Sequence, residues 1–424
     1  MTGWIVLLIV VLILLRMPIA AALGTATGIY LMWKGIPSMI GPQRILGTLQ
    51  NELLVAIPMF LIAGRLMNLI GATRRIFDLS VAILGHVRGG LGYVVVLTSI
   101  IFSAMSGSAT ADAVGVGSIT VQEMRRNGYD AEFAAAITLA ASTLAPIIPP
   151  SIMFIVYSVT AEVSVGRLFL AGVLPGLLIA AALMVTVGVL SARRRYPIAG
   201  SFRIGNVWQT FRRAFLSLVT PVIILGGMFG GYFTATEAAV VAVDYVILLG
   251  LVYRAISWRL FYREIVTAGT LIGALMLIIS VSGLSAWMFT MDQLPLHLET
   301  AVTSLTRNPT LIMLLLVLIG LILGTIMDAI PIILILVPAL IPLINSVGID
   351  PVHFGLVFVI TTVIGLITPP VGMCLYGISA VAKLPIEVVF RATLPFFLAL
   401  VLSVVALVFM PRFVLFLPNL LLGR

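Results

Sequence analysis

Apolar runs of about 20 residues follow one another along this chain, and they limit what it can fold into. Residues 392–411, for example, contain no charged side chain. A helix of about 20 apolar residues spans the hydrocarbon core of a bilayer, and because lipid offers no hydrogen-bond partners to the backbone, apolar segments of this length must be helical. The sequence therefore predicts an all-α polytopic membrane protein.

Charged residues are scarce and lie mainly between the apolar runs. Only 9% of the 424 residues are charged, 61% are hydrophobic, and the net charge is +9. A positive balance can indicate nucleic-acid binding, but here the basic residues lie in short loops, where the positive-inside rule places them. We therefore expect no nucleic-acid partner and a polytopic protein of an inner-type membrane.

Two proline pairs interrupt apolar runs at matching places. Pro149-Pro150 lies in LAPIIPPS, and Pro369-Pro370 lies in IGLITPPV. Proline removes a backbone donor and clashes with the carbonyl four residues earlier, so each pair predicts a break in a membrane helix. We expect the two broken helices to cover residues 130–162 and 352–382.

The match between the two halves extends beyond the prolines, which are 220 residues apart. A glycine-containing polar break also precedes each pair, in SGSATADA and in LGTIMDA. Matching at a fixed offset indicates an internal duplication. The other matched residues are Gly128 and Gly348, Asp130 and Asp350, Ile147 and Ile367, Met153 and Met373, and Leu174-Pro175 and Leu394-Pro395.

Arginine-rich loops give the direction of each half, because positive residues collect on the cytoplasmic side. Three spans are predicted between the connecting segment and the second hairpin, and an odd number of crossings makes that hairpin enter from the opposite face. We therefore predict two inverted repeats, 1–192 and 214–424, joined by a cytoplasmic connecting segment, 193–213. The loops with these arginines contain residues 125–126, 193–195, 212–213 and 254–263, and the three spans lie near 214–232, 235–253 and 265–288.

Each half is also expected to contain a re-entrant helical hairpin with its tip at the polar break. The hairpins should cover residues 91–125 and 309–344. Inverted repeats with broken helices are typical of secondary transporters, whose sites lie between the repeats near the bilayer midplane. The other predicted elements are two helices over 4–33 that meet at Arg16, a span over 52–71 and surface helices over 74–88 and 292–307.

The breaks expose backbone groups that can bind ions. A half-helix that ends exposes carbonyl oxygens, which coordinate cations, and one that begins exposes amides, which attract anions. The hydroxyls and glycines nearby suit a monovalent cation better than a divalent one, whose sites prefer carboxylates. The same hydroxyls could instead serve helix packing or bond to their own backbone. The polar break residues are Ser106, Gly107, Ser108, Thr110, Ser142, Thr143, Ser151, Gly324, Thr325, Asp328, Gly365 and Thr368.

Four ionisable residues lie in or near predicted membrane segments, where such side chains are functional candidates. Asp112 and Asp328 follow the hairpin tips and could either couple to an ion or cap the helices that begin there. Glu237, in TATEAA, could likewise be a helix cap. Arg65 is interpreted as a side chain that reaches from its span to the membrane surface.

Several other chemistries lack the residues that they require. Cys374 is the only cysteine, and His86, His297 and His353 are far apart, so we expect no histidine or cysteine metal site. The motifs HExxH and GxSxG are absent, so an enzyme is not expected. A passive channel would explain polar breaks but would not need an inverted duplication.

Five motifs together resemble the large membrane subunit of the tripartite ATP-independent periplasmic (TRAP) transporters, and the likeness covers essentially the whole chain. It implies a multi-pass protein of the bacterial inner membrane with an elevator-type fold, which uses sodium ions to import a small, carboxylate-bearing organic acid. It also implies two partners, a periplasmic substrate-binding protein and a small four-helix membrane subunit, expected here as a separate chain. The motifs are SGSATADAVGVGSI (106–119), LAPIIPPS (144–151), TATEAA (234–239), GTIMDAIPIILILVPALIPL (324–343) and GLITPPVGMCLYG (365–377).

In that family the hairpin tips and broken helices hold the sodium ions, so the resemblance implies one sodium site in each half. The first site would contain Ser106, Ser108, Ala145, Ile148 and Ser151, of which Ala145 and Ile148 offer only carbonyl oxygens. The second would contain Gly324, Gly365, Thr368 and the Val371 carbonyl. We expect the substrate to contact Thr110, Asp112, Thr325 and Asp328.

A stand-alone sodium/dicarboxylate symporter of the same general architecture is the alternative. Such a symporter would need no periplasmic binding protein. A neighbouring gene for a secreted binding protein would therefore favour the tripartite transporter.

The inverted arrangement predicts that residues 201 and 345 lie on opposite faces of the membrane. Single cysteines at Ser201 and Asn345, in a background with Cys374 replaced, should react with an impermeant thiol reagent from the cytoplasmic and the periplasmic side, respectively. Labelling of both positions from one face would contradict the inverted repeats.

Overall fold

The computed structural model describes residues 2–15, 17–198 and 200–423, and all regular secondary structure in these ranges is helical. Seven of the described helices are long and apolar enough to cross a membrane. The prediction of an all-α polytopic membrane protein is confirmed. The seven helices are Glu52–Leu69, Val165–Arg194, Ile204–Phe229, Ala235–Val252, Trp258–Met291, Ala329–Ser346 and Ile386–Val408.

The helices are numbered in chain order. Those of the first half are α1 (Thr2–Leu14), α2 (Ile19–Trp33), α3 (Ile40–Leu49), α4 (Ala56–Leu69, after a 3-10 turn at Glu52–Val55), α5 (Ala72–Leu84), α6 (Gly90–Ser106), α7 (Ala109–Arg126), α8 (Ala131–Ser142), α9 (Ile152–Ala161) and α10 (Val165–Arg194). Those of the second half are α11 (Ile204–Phe229), α12 (Ala235–Val252), α13 (Trp258–Met291), α14 (Leu294–Leu305), α15 (Pro309–Gly324), α16 (Ala329–Ser346), α17 (Pro351–Gly365), α18 (Met373–Ala382), α19 (Ile386–Val408), α20 (Pro411–Val414) and α21 (Phe416–Leu422).

The two hairpins and the two broken helices lie where the sequence predicts them. The first hairpin turns between α6 and α7 at residues 107–108, and the second turns between α15 and α16 at residues 325–328. The proline pairs fall in the gaps between α8 and α9 and between α17 and α18. The four half-helices of the broken helices, α8, α9, α17 and α18, are each too short to span a bilayer alone. The two halves of each broken helix must therefore cross it together. The inverted orientation of the halves stays a prediction.

The segment between the halves is partly helical. α10 continues to Arg194 and α11 begins at Ile204, so only the middle of the predicted connecting segment lies outside helices. An aromatic row at helical spacing supports this early start, because Trp208 stacks on Phe211, and Phe211 meets Phe215 edge to face. α3 occupies residues for which no helix was predicted, and the predicted junction at Arg16 lies outside the described residues.

α8 and α17 occupy the centre of the protein. Every residue from Phe133 to Ser142 and from Val352 to Gly365 is buried. The returning helices of the hairpins pack in a crossed pattern around them. α7 contacts α8 of its own half and α18 of the other, whereas α16 contacts α17 of its own half and α9 of the other. The crossed pattern joins the two halves into one core.

A second group of helices flanks this core. α12 packs against α4, and α13 packs against α2, α3 and α4. Only 28% of the most apolar stretch of α13 is buried inside the protein, so much of its apolar surface is left for lipid. This group, α2, α3, α4, α12 and α13, is called the flanking group below.

Glycine lets each hairpin tip touch the broken helix of its own half. A Cβ atom on Gly107 would lie 2.9 Å from the Pro150 carbonyl oxygen, and one on Gly324 would lie 2.4 Å from the Thr362 carbonyl oxygen and 3.0 Å from the Cα atom of Gly365. Gly107 also has a φ angle of +61°, which favours glycine. Backbone therefore packs directly on backbone at both contacts.

The contact at Gly324 predicts that even one methyl group will disturb the second tip. Gly324→Ala should destabilise the protein by about 1–3 kcal/mol, the usual cost of overpacking a dense core, and should lower the midpoint of thermal unfolding in detergent. Gly226→Ala is the matched control, because its Cβ would meet no atom within 4 Å. Equal midpoints for both variants would contradict the close tip contact.

Candidate ion and substrate sites

Serine hydroxyls cap the N-termini of two helices in the first half, α7 and α9. Ser108 caps α7 by accepting a hydrogen bond from the Ala111 amide at 3.4 Å, and its Oγ lies 3.2 Å from the Thr110 hydroxyl. Ser151 caps α9 by accepting from the Phe154 amide at 3.2 Å. Helix formation therefore fixes two of the predicted sodium ligands at the tip and at the break.

The first break also leaves carbonyl oxygens without donors. The Ser151 hydroxyl donates to the Pro146 carbonyl at 2.6 Å, but the carbonyls of Ala145 and Ile148 accept no hydrogen bond from the described residues. α10 covers this turn closely, because a Cβ atom on Gly172 would lie 2.3 Å from the Ile147 carbonyl oxygen. Carbonyls without donors are costly away from water, so these two oxygens are candidate cation ligands.

The second half repeats this arrangement with different residues. The Thr325 carbonyl at the tip accepts from the Val371 amide at 3.0 Å and from the Gly372 amide at 3.2 Å, which ties the tip to the break. The carbonyls of Gly324 and Val371, both predicted ligands, accept no hydrogen bond from the described part of the chain. The second set is thus brought together by backbone contacts rather than by side chains.

Several break hydroxyls bond back to their own helix, as the packing alternative predicts. Ser142 donates to the Leu139 carbonyl at 2.7 Å, Thr143 donates to Ala140 at 2.6 Å, and Thr368 donates to Gly365 at 2.8 Å. A hydroxyl that donates its hydrogen keeps acceptor lone pairs on the oxygen. The back-bond of Thr368 is therefore compatible with cation binding by the same oxygen.

The acidic residues divide into caps and a buried carboxylate. Asp328 caps α16 through the Ala329 amide at 2.6 Å, and Glu237 forms a capping box with Thr234, which begins α12. Asp112 does not cap α7. Its Oδ1 accepts a hydrogen bond from Ser106 at 2.5 Å, and its Oδ2 is buried without a partner among the described residues. Such an oxygen is costly in a membrane protein, so it is a candidate cation ligand beside the first tip.

Two cavities border the first hairpin tip. The larger has a volume of about 540 Å³ and lies between α4, α7 and α13. The smaller, of about 60 Å³, is lined by both halves, with Thr110 from the first and Asp328 from the second. Thr110 lines both cavities, whereas Asp112 and Thr325 are not among the lining residues of either. The structure thus brings together two of the four predicted substrate residues.

Arg65 lines the larger cavity, and its interpretation as a side chain that reaches the membrane surface stays a prediction. Arg65 pairs with Glu264 of α13 at 2.8 Å, and both side chains line the cavity. The two residues are 199 positions apart. Because no local sequence pattern connects the two residues, the sequence does not predict the pair. The available sequence signal for Arg65 is its position as an ionisable residue within an apolar span.

A model of the family described as "Tripartite ATP-independent periplasmic transporter, DctM component" matches residues 6–413 of this chain. The chain is 39% identical to the sialic acid TRAP transporter large permease protein SiaM of Vibrio cholerae, over 90% of each protein. It is 36% identical to the 2,3-diketo-L-gulonate TRAP transporter large permease protein YiaN of Escherichia coli, over 95% of each. It is 39% identical to the C4-dicarboxylate TRAP transporter large permease protein DctM of Pseudomonas aeruginosa, over 89% of this chain and 88% of that protein.

The fold is similar to that of a solved transporter. The crystal structure of the YdaH transporter of Alcanivorax borkumensis aligns with a TM-score of 0.68, covers 96% of this chain and 98% of that chain, and is 15% identical in sequence. The relatives are permeases, so the prediction of a transporter subunit rather than an enzyme is confirmed, and so is the location in the bacterial inner membrane. The chain belongs to the DctM component family of the tripartite ATP-independent periplasmic transporters.

Proposed function

We propose that this TRAP permease couples the entry of sodium ions to the import of a small organic acid. The observation that carries the proposal is the set of carbonyls without donors at the two breaks, at Ala145, Ile148, Gly324 and Val371. Sodium ions would satisfy these oxygens, and the hydroxyls of the same breaks would complete the two shells. Sodium is thus a transported ion in this proposal and not a resident cofactor.

The substrate is proposed to bind beside the first tip, in the 540 Å³ cavity. This volume falls within the range of about 300–1,000 Å³ that is usual for small-molecule sites. The substrates named for the three relatives, sialic acid, 2,3-diketo-L-gulonate and a C4-dicarboxylate, all carry a carboxylate. The lining residues Ser108 and Thr110 would link this cavity to the first sodium site.

Coupling would depend on the first tip. Sodium bound between the tip and the break would hold Ser108 and Thr110 in place, so the substrate cavity would be complete only with the ion present. In an elevator motion, α6–α9 and α15–α18 would move together along the flanking group. The crossed packing of α7 on α18 and of α16 on α9 favours such joint movement.

Two further proteins complete the proposed importer. A periplasmic binding protein would deliver the organic acid, and a small membrane subunit would accompany this chain. The description of the family as a component of a tripartite periplasmic transporter supports both partners.

Uptake should therefore depend on the binding protein. Liposomes that contain this chain and its small subunit should import an acid from the set of sialic acid, 2,3-diketo-L-gulonate and C4-dicarboxylates only with an inward sodium gradient and the cognate binding protein outside. Potassium in place of sodium is the control for the ion. Robust uptake without the binding protein would favour the stand-alone symporter instead.

We predict that one substitution in each proposed ion site raises the sodium concentration that uptake requires. Thr368→Val and Ser108→Ala each remove one oxygen ligand, and a loss of about 1–3 kcal/mol would raise the sodium concentration for half-maximal uptake roughly 5-fold to 150-fold. Thr361→Val is the matched control, because Thr361 is equally buried and bonds back to Val357 at 2.7 Å, but lies outside the break.

Sodium titrations on purified, equally folded variants decide the question. An unchanged sodium midpoint in both Thr368→Val and Ser108→Ala, with only stability or maximal rate altered, would show that these hydroxyls serve packing and would overturn the ion-site assignment. A shift in Thr361→Val as large as that in Thr368→Val would do the same for the second site.

A further inference from the structure

Two arginines line the larger cavity, and one of them, Arg65, follows a close contact with the first hairpin tip. α4 approaches the tip closely, because a Cβ atom on Gly64 would lie 3.1 Å from the Cα atom of Ser106. Arg65 is the next residue, and its side chain is 31% exposed and lines the cavity. A guanidinium group is therefore held next to the hydroxyls of the proposed substrate site.

The guanidinium of Arg65 is only partly occupied by protein. Its Nε and Nη2 atoms both donate to one oxygen of Glu264, at 3.2 Å and 2.8 Å. Its Nη1 atom has no hydrogen-bond partner among the described residues. The edge formed by Nη1 and Nη2 therefore presents donors in the fork geometry that binds a carboxylate through two parallel hydrogen bonds.

The other arginine of the cavity is already engaged elsewhere. Arg74 is 52% exposed, donates to Glu123 at 2.7 Å and contacts Asp78 at 3.2 Å. It thus faces two carboxylates of the protein, neither of which lines the cavity. Arg65, with one partner and a free edge, is the better carboxylate ligand.

From this geometry we infer that Arg65 binds the carboxylate of the transported acid, and that Glu264 positions its guanidinium. The inference rests on the proposed function and adds to it the residue that recognises the substrate class. Glu264 holds the group by its Nε and Nη2 atoms, which leaves the edge formed by Nη1 and Nη2 for a ligand. Asn68 and Ser118, which also line the cavity, supply hydrogen bonds for hydroxyl or keto groups of the solute.

The ion pair also allows a test that distinguishes binding of the acid by Arg65 from a purely structural role of the pair. If the pair only joins α4 to α13, loss of either partner should act alike, on stability. If Arg65 binds the acid, loss of the Arg65 charge removes the contact with the carboxylate. Loss of the Glu264 charge leaves Arg65 in place, together with a side-chain oxygen that still accepts its hydrogen bonds. The two substitutions Arg65→Gln and Glu264→Gln should therefore differ in acid binding.

Binding can be measured without the binding protein. The probe is whichever acid of the liposome set is imported fastest, together with its carboxamide. The readout is the concentration that gives half-maximal thermal stabilisation of the purified chain with its small subunit in saturating sodium. Arg194→Gln is the matched control, because Arg194 is also ion-paired, to Asp130 at 3.0 Å, but lies outside the cavity.

We expect Arg65→Gln to raise the half-saturating acid concentration about 10-fold to 150-fold, the effect of losing a hydrogen bond to a charged group. It should also abolish the preference for acid over carboxamide, and it should not change the sodium concentration for half-maximal thermal stabilisation measured without acid. Glu264→Gln should raise the half-saturating acid concentration less than Arg65→Gln does and keep the preference for the acid, and Arg194→Gln should not change it. If Arg65→Gln does not fold, Arg65→Lys should show a smaller rise and retain the preference for the acid.

Acid binding by Arg65→Gln with the affinity and acid preference of the unchanged protein would overturn the inference. Equal effects of Arg65→Gln and Glu264→Gln on acid binding would overturn it as well. Failure of the unchanged complex to import any acid with sodium and binding protein would instead count against the proposed function, so the two failures are distinguishable.

Discussion

Lipid supplies no hydrogen bonds, and this constraint decides where irregular backbone can lie in the protein. Two breaks and two tips leave backbone groups outside any helix, and such groups are costly in hydrocarbon. The fold encloses the first break, where α10 closes over it through Gly172, and packs the second tip on Gly365 through Gly324. Ala145, beside the first break, is fully buried, whereas Val371, beside the second, is 41% exposed.

The same enclosure joins the two halves. Because α7 contacts α18 and α16 contacts α9, the returning helix of each hairpin rests on the broken helix of the other half. Thr110 and Asp328, from opposite halves, line one small cavity for this reason. This packing would let a change at one break reach the other and would give the proposed coupling of ions and substrate a physical route.

The fold also encloses charged side chains that lie within the apolar segments. Arg65 and Glu264 offset part of the cost of each other's burial, and they do so in the wall of a cavity rather than in lipid. Asp112 is the contrasting case, since a serine satisfies one of its oxygens and no described residue satisfies the other. Ionisable groups so placed in membrane proteins mark sites of transport more often than sites of packing.

The sequence by itself determined the helical class, the duplicated hairpins and the broken helices, because hydropathy, proline and a fixed repeat act locally or at a constant offset. It also identified Asp328 and Glu237 as possible caps. It left Asp112 open, and only the structure showed that Ser108 takes the cap and frees that carboxyl. The cavity, the Arg65–Glu264 pair and the glycine contacts were decided by tertiary structure alone, because they join residues that are far apart in the chain and meet only when helices pack.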